Sequence, residues 1–139
     1  MRVLIVSEDA RERLRAGSAL SLHQGAEVVE VPTGGEARRL VTEQVFDVLV
    51  VDGDLSPQGG FSLLYELREA GEQEGTPVPP AVVLTAREQD RFLSDWSGAA
   101  RIVAKPVDPF ALSRAVGELV GAPSPAVAST PEAAVDAEA

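Results

Sequence analysis

The chain of 139 residues has no cysteine, one histidine, one lysine and only 4% aromatic residues. Without cysteine there is no disulfide framework and no thiolate metal site, and a lone histidine makes no zinc site. Long apolar runs are missing as well: none approaches the roughly 20 residues of a membrane span. The N-terminus carries one arginine, a short apolar run and then acid, which is not the pattern of a signal peptide. The chain therefore reads as soluble and cytoplasmic, with no membrane insertion. Positive charge is scarce, with 12 basic residues against 22 acidic ones and a net charge of −10. That balance repels a phosphate backbone and argues against nucleic acid as a partner. Few aromatics leave Val, Leu, Ala and Ile to fill the core. Eleven of the twelve basic residues are arginine, and the single lysine is Lys105.

Composition divides the chain in two. Residues 122–139 hold Pro, Ala, Ser and Thr with three acids and no base, a composition that cannot bury a core and reads as a disordered tail. Residues 1–121 read as one domain in which short apolar runs alternate with amphipathic stretches. The runs are Val3–Val6, Val28–Val31, Val48–Val51, Ala81–Leu84 and Ile102–Ala104. Each has strand length, and Val48–Val51 is apolar on both faces, as a central parallel strand must be. Between them, Leu112, Ala115, Val116 and Leu119 share one helical face, which opens at Asp108 as N-cap with Pro109 first in the helix. Thr33 and Glu36 resemble a capping box before Ala37, Leu40 and Val41. Leu63, Leu64, Leu67 and Gly71 make a third face. A weaker fourth, over 87–97, gathers Phe92, Leu93 and Trp96, with Trp96 expected in the core because large aromatics bury well. The Pro-rich stretch 73–80 is expected as a loop. This alternation implies an α/β domain with a five-stranded parallel sheet, right-handed crossovers and helices on both faces.

Ligands of such sheets bind beyond the carboxyl ends of the strands. Those ends carry Ser7-Glu8-Asp9, Asp52-Gly53-Asp54, Thr85-Ala86 and Lys105-Pro106, while the second run ends uncharged at Val31-Pro32-Thr33. Carboxylates of Glu8, Asp9 and Asp52 gathered at one edge would repel, which raises their pKa or demands a cation. Hard oxygen donors favour Mg²⁺. Lys105 adds a compact ammonium where arginine serves everywhere else, and Thr85 adds a hydroxyl. Taken singly, each has a plain structural reading: Asp9 and Thr85 as helix caps, Asp52-Gly53 as turn chemistry, Lys-Pro as a loop start. Their joint order, each at a successive sheet terminus, suits a phosphoryl group carried on Asp52. Phosphoryl transfer mostly needs positioning and charge neutralisation.

These motifs resemble the receiver domain of two-component response regulators. The resemblance runs over residues 2–120 through Arg2–Asp9, through Asp47–Asp52 with Gly60, through Val82–Ala86 and through Ala104–Leu112. The order of Leu84–Arg87, Trp96-Ser97 and Pro106–Pro109 is similar to stand-alone actinobacterial receivers. The resemblance implies a flavodoxin-like (βα)5 fold with strand order 2-1-3-4-5. It implies a non-enzymatic module phosphorylated on Asp52 by a histidine kinase or phosphotransfer protein in a phosphorelay. Mg²⁺ would be held by the Glu8 carboxylate in the acidic pocket and by the backbone carbonyl of Asp54, with Asp9 and Asp52 beside them. Thr85 and Lys105 would receive the phosphoryl oxygens. Output would run to a protein partner through the surface of the fourth helix, fifth strand and fifth helix.

Four departures stand out: Ser7 where the family has an acid, Glu8 where it has Asp, Ser56 where it has Pro, and Ile102 where an aromatic acts as switch. Ser7, Glu8 and Ile102 motivate an alternative, a pseudo-receiver that binds partners without phosphate. A third reading, a haloacid-dehalogenase-type phosphatase opening with Asp52-Gly53-Asp54-Leu55-Ser56, fails on organisation. Its second acid pair should follow the lysine, and there is no room for a substrate cap. The stretch from Thr85 to Lys105 is slightly short for the family, which puts the fourth helix in doubt.

Overall fold

The computed structural model describes residues 1–23, 25–86 and 92–121. Strands and helices alternate as β1 (Arg2–Val6), α1 (Ala10–Ser21), β2 (Glu27–Val31), α2 (Gly34–Glu43), β3 (Val48–Asp52), α3 (Gly60–Glu74), β4 (Ala81–Thr85), α4 (Leu93–Ser97), β5 (Arg101–Ala104) and α5 (Pro109–Gly121). All strand pairs are parallel, in the order β2-β1-β3-β4-β5. This is the expected topology. It places β1 and β4 on either side of β3, so the acidic end of β3 lies between the ends that carry Ser7 and Thr85.

Side chains of a strand alternate between faces, and the core divides accordingly. Val3 and Ile5 of β1, Val48 and Val50 of β3, and Val82 and Leu84 of β4 pack with Ala16 and Leu20 of α1 and Leu112 and Val116 of α5. The alternate residues Leu4, Val6, Leu49, Val51 and Val83 pack with Ala37 and Leu40 of α2 and Leu63, Leu64 and Leu67 of α3. Every residue of β3 and β4 is buried, which is why their sequences run apolar without alternation. Helix starts follow the caps in the sequence. The Thr33 hydroxyl accepts from the Glu36 amide at 3.2 Å, and Asp108 accepts from the Phe110 amide at 3.1 Å.

Two expectations change. α3 runs through Glu74, so Gln73 and Glu74 belong to the helix and not to the loop. Gly75, left-handed at φ 73°, closes α3 before Pro77, Pro79 and Pro80 can interrupt it. Trp96 is not a core residue. It is 49% exposed and stacks on Tyr65 of α3, with ring centroids 4.5 Å apart and planes within 4°, because its short helix turns the buried Ser97 and the half-buried Leu93 inward instead. The fourth helix, in doubt from the sequence, is present as the five residues Leu93–Ser97. The preceding part of that stretch, 87–91, and the tail expected over 122–139 lie outside the described residues. No helix among the described residues is long and apolar enough to cross a membrane.

The β3–α3 loop folds back on the strand it leaves. The Gly60 amide donates to the Gly53 carbonyl at 3.0 Å, and Gly59 has φ 89°. A Cβ on Gly60 would run into the Asp52 carbonyl. Replacing Gly60 by Ala is expected to destabilise the protein by about 1–3 kcal/mol through overpacking. Denaturant unfolding checks this, and an unchanged midpoint would refute the tight loop.

Candidate functional site

Asp52 is the last residue of β3 and is only 6% exposed. Four apolar residues precede it in a doubly covered strand, so its carboxylate emerges at the sheet edge while its backbone stays in the core. Lys105 follows β5. Its amide donates to the Thr85 carbonyl at 3.0 Å, extending the β4–β5 pairing by one step. From there Nζ donates to Asp52 Oδ1 at 2.7 Å and to Asp54 Oδ2 at 2.8 Å. Asp52 Oδ1 also accepts from the Asp54 amide at 3.0 Å. Asp52 Oδ2 faces the Ser7 hydroxyl at 3.3 Å. Thr85, at the end of β4, is 5% exposed. Asp52, Thr85 and Lys105, the three residues expected to handle the phosphoryl group, thus stand at adjacent strand ends.

The acids of the first loop are used differently. Asp9 caps α1, its Oδ1 accepting from the Arg11 and Glu12 amides at 2.9 and 3.3 Å. Glu8 is exposed, and its Oε1 accepts from the Ser56 amide at 3.2 Å. The four expected metal residues are therefore not brought together as side chains: Asp52 and Asp54 meet on Lys105, whereas Glu8 and Asp9 bond elsewhere. In their place the structure brings Glu12, which the sequence reading missed. Its Oε1 lies 3.4 Å from the Ser7 hydroxyl and 3.9 Å from Lys105 Nζ. The signal was present but ambiguous, because an acid three residues after an Asp N-cap is ordinary helix-start chemistry. Asp54 was expected to act through its carbonyl; in the structure it is its carboxylate that pairs with Lys105.

Burial pushes the Asp52 carboxyl upward. The Lys105 hydrogen bond, the Asp54 amide and the ammonium charge outweigh it and hold the group below the ordinary carboxylate range. Glu12 moves the other way, raised by burial first and then by the charge of Asp52. On acidification Glu12 therefore takes a proton before Asp52 does. Burial alone would lower Lys105, but its bonds to Asp52 and Asp54 raise it to about 12.

Around Lys105 three carboxylates share one ammonium, so the pocket keeps excess negative charge. All the donors are hard oxygens, the chemistry Mg²⁺ prefers. Among the described residues no three acidic or imidazole side chains close on one point as a metal cage. Mg²⁺ seldom uses such a cage: one or two carboxylates, a carbonyl and waters suffice. The lysine ammonium marks where a cation is accommodated, and the donor set fits Mg²⁺ in kind and in charge.

A parallel doubly wound domain with a carboxylate, a hydroxyl and an ammonium gathered at the carboxyl edge of its sheet defines an α/β fold with its charged site at the usual ligand-binding edge. The comparisons with known proteins narrow this class. The family model of the response regulator receiver domain matches residues 3–117, and the chain belongs to that family. An uncharacterised response regulatory protein of Mycobacterium tuberculosis is 33% identical over 129 residues, covering 89% of this chain and 94% of that protein. Protein PilH of Pseudomonas aeruginosa is 26% identical over 121 residues, covering 86% and 97%. Among solved structures, the receiver domain of the yeast (Saccharomyces cerevisiae) response regulator Ssk1 aligns with TM-score 0.79 and 25% identity, covering 87% of this chain and 89% of that one. That receiver was crystallised with the histidine phosphotransfer signalling protein Ypd1. The chemotaxis response regulator CheY4 of Vibrio cholerae shares the fold at TM-score 0.73 and 23% identity, covering 85% and 97%.

The charge pairing sets a pH dependence. Because the folded pKa of Lys105 is raised, its contribution to stability is complete below its ordinary 10.5 and is lost as pH rises through about 12. The contribution of Asp52, whose folded pKa is depressed, is present at neutral pH and is lost as pH falls through that low value. In Lys105→Met the alkaline loss is expected to vanish. Burial then dominates Asp52, whose carboxyl should titrate above the ordinary range. An NMR titration of the Asp52 side-chain carbon reads this directly, and an unmoved Asp52 would show that Lys105 does not hold it.

Proposed function

We propose that the protein is a phosphorelay receiver in which Asp52 accepts a phosphoryl group and output passes by protein–protein contact. The observation that carries this reading is the buried, ionised Asp52 carboxylate fixed by Lys105 and the Asp54 amide at the sheet edge. A carboxylate held below its ordinary pKa is an anion at neutral pH and can act as nucleophile. Its free oxygen lone pair attacks the phosphorus of a phosphohistidine on a histidine kinase or phosphotransfer protein. The P–N bond breaks, the electron pair stays on the imidazole nitrogen and that nitrogen takes a proton from solvent. The product is an aspartyl phosphate. Lys105 is placed to pair with the new phosphoryl charge, and the Thr85 hydroxyl stands at the next strand end. Bound Mg²⁺ would supply further neutralisation of that charge; Asp52 and the Asp54 carbonyl are the groups expected to hold it. The yeast receiver's complex with a phosphotransfer protein supports a partner of that kind.

For output, Phe92 at 73% exposure and Trp96 front a groove of about 520 Å³ that reaches Asp54 and Phe61. An aromatic wall beside the acceptor loop suits a protein partner whose contact depends on the state of Asp52. The proposed contact thus includes the α3–α4 side as well as the α4, β5 and α5 surface. Ile102 packs against the core cluster on the α2 and α3 face, so any switch lacks the family's rotating aromatic at that position. Localisation in the cytoplasm and a non-enzymatic role belong to the same reading.

A second reading rests on the engagement of Glu8 with Ser56 and on Ser7 in place of an acid: a phosphate-independent interaction module. Incubation with acetyl phosphate and Mg²⁺ separates the two. We expect a mass gain of one phosphoryl group on the wild type, none on Asp52→Asn, and a much slower gain on Lys105→Arg, because a guanidinium is broader than the ammonium it replaces. No Asp52-dependent gain would leave the phosphate-independent reading.

A further inference from the structure

The pocket that the sequence assembles from loop acids is assembled in space from a helix acid. β1 delivers Val3 and Ile5 to the face covered by α1 and α5. Ser7 continues that alternation: it is 1% exposed and faces Asp52 Oδ2, which follows Val48 and Val50 on the same face. Glu8 follows the other parity, with Leu4 and Val6, toward α2. There it meets the Ser56 amide and lines a cavity shared with Thr33 and Arg38. Position 7 is thus the loop site whose side chain enters the pocket, and it holds a hydroxyl.

The missing charge comes from α1. Asp9 caps that helix, and the Asp9 amide in turn donates to Ser7 Oγ at 3.2 Å. These contacts fix the first turn of α1 over the end of β1. Glu12 then reaches back with its side chain 14% exposed, 3.4 Å from Ser7 Oγ and 3.9 Å from Lys105 Nζ. The Ser7 hydroxyl has one hydrogen for two carboxylates, Asp52 on one side and Glu12 on the other. Like-charged carboxylates held this close need a cation, and Lys105 serves both.

We propose that Glu12, and not Glu8, is the second carboxylate of the cation pocket, supplying from the first turn of α1 the negative charge that Ser7 lacks. The inference rests on the phosphoacceptor reading of Asp52 and goes beyond it, because it assigns Mg²⁺ affinity to a residue outside the strand-end motifs.

The test is calorimetric titration of MgCl₂ into the full chain without any phosphodonor, with thermal melts to confirm folding. Glu12→Gln is expected to weaken Mg²⁺ binding by about tenfold or more, and Glu12→Asp, which keeps the charge but shortens its reach, to weaken it less. Glu8→Gln should stay near wild type. Adding Ser7→Asp to Glu12→Gln should restore binding, since it returns a carboxylate to the same face. Loss of binding in Glu8→Gln with Glu12→Gln unaffected would overturn the proposal, as would a wild type that does not bind Mg²⁺ at millimolar concentration. Acetyl-phosphate labelling distinguishes the two failures. A labelled Asp52 with Mg²⁺ affinity indifferent to Glu12 removes only the Glu12 assignment, whereas an unlabelled Asp52 in a protein that binds Mg²⁺ normally removes the phosphoacceptor reading.

Discussion

At the carboxyl edge of the sheet one ammonium is shared by three carboxylates, and much of the architecture serves to hold that arrangement. Lys105 stands 2.7 Å from Asp52 and 2.8 Å from Asp54, with Glu12 at 3.9 Å. Burying an ionised carboxylate without a partner is costly. Asp52 can end a buried strand as an anion because Lys105 and the Asp54 amide meet it there. The same arrangement leaves the site deficient in positive charge, so it holds its shape while keeping a preference for an added cation. In the proposed function Asp52 is poised between two partners, the internal lysine and an incoming phosphoryl group with its counterion.

The surrounding fold supplies the rigidity this needs. β3 is covered on both faces, so the backbone of Asp52 has little freedom. β4 and β5 are in register to the last residue, and the Lys105 amide continues the ladder on the Thr85 carbonyl. The β3–α3 loop closes against the Asp52 main chain through Gly53 and Gly60, which sets the Asp54 amide and carboxylate on the same side as Lys105. Helix α1 is capped by Asp9 directly beside Ser7. Each of these is a local backbone constraint, and together they determine side-chain distances at a site whose members are up to 98 positions apart in the chain, from Ser7 to Lys105.

Legibility in the sequence varied with how local each feature is. The strands could be read to within one residue at their ends, because runs such as Val48–Val51 and Ala81–Leu84 are apolar, short and bounded by polar residues. The Thr33 and Asp108 caps were readable because a cap is a bond between neighbours in sequence. The end of α3 is not legible because the prolines at 77, 79 and 80 signal a break without saying how far before it the helix stops; Gly75 decides that. Trp96 was misjudged because burial depends on what a helix packs against, and its five-residue helix turns Leu93 and Ser97 inward instead. Asp52, Thr85 and Lys105 were legible as strand-end residues, whereas Glu12 looked like ordinary helix-start chemistry.

The family, the order of the elements and the three residues at adjacent strand ends are legible in the chain alone, because apolar period and terminal polar groups are properties of short segments. Which acids share the pocket follows from packing in three dimensions. Side-chain alternation along β1 sends Ser7 to the face of Asp52 and Glu8 to the opposite one. The packing of α1 on that first face then carries Glu12 across the sheet end. The shortage of lysine with which the sequence begins acquires its meaning in that geometry: the only ammonium side chain of the chain is the one that three carboxylates surround.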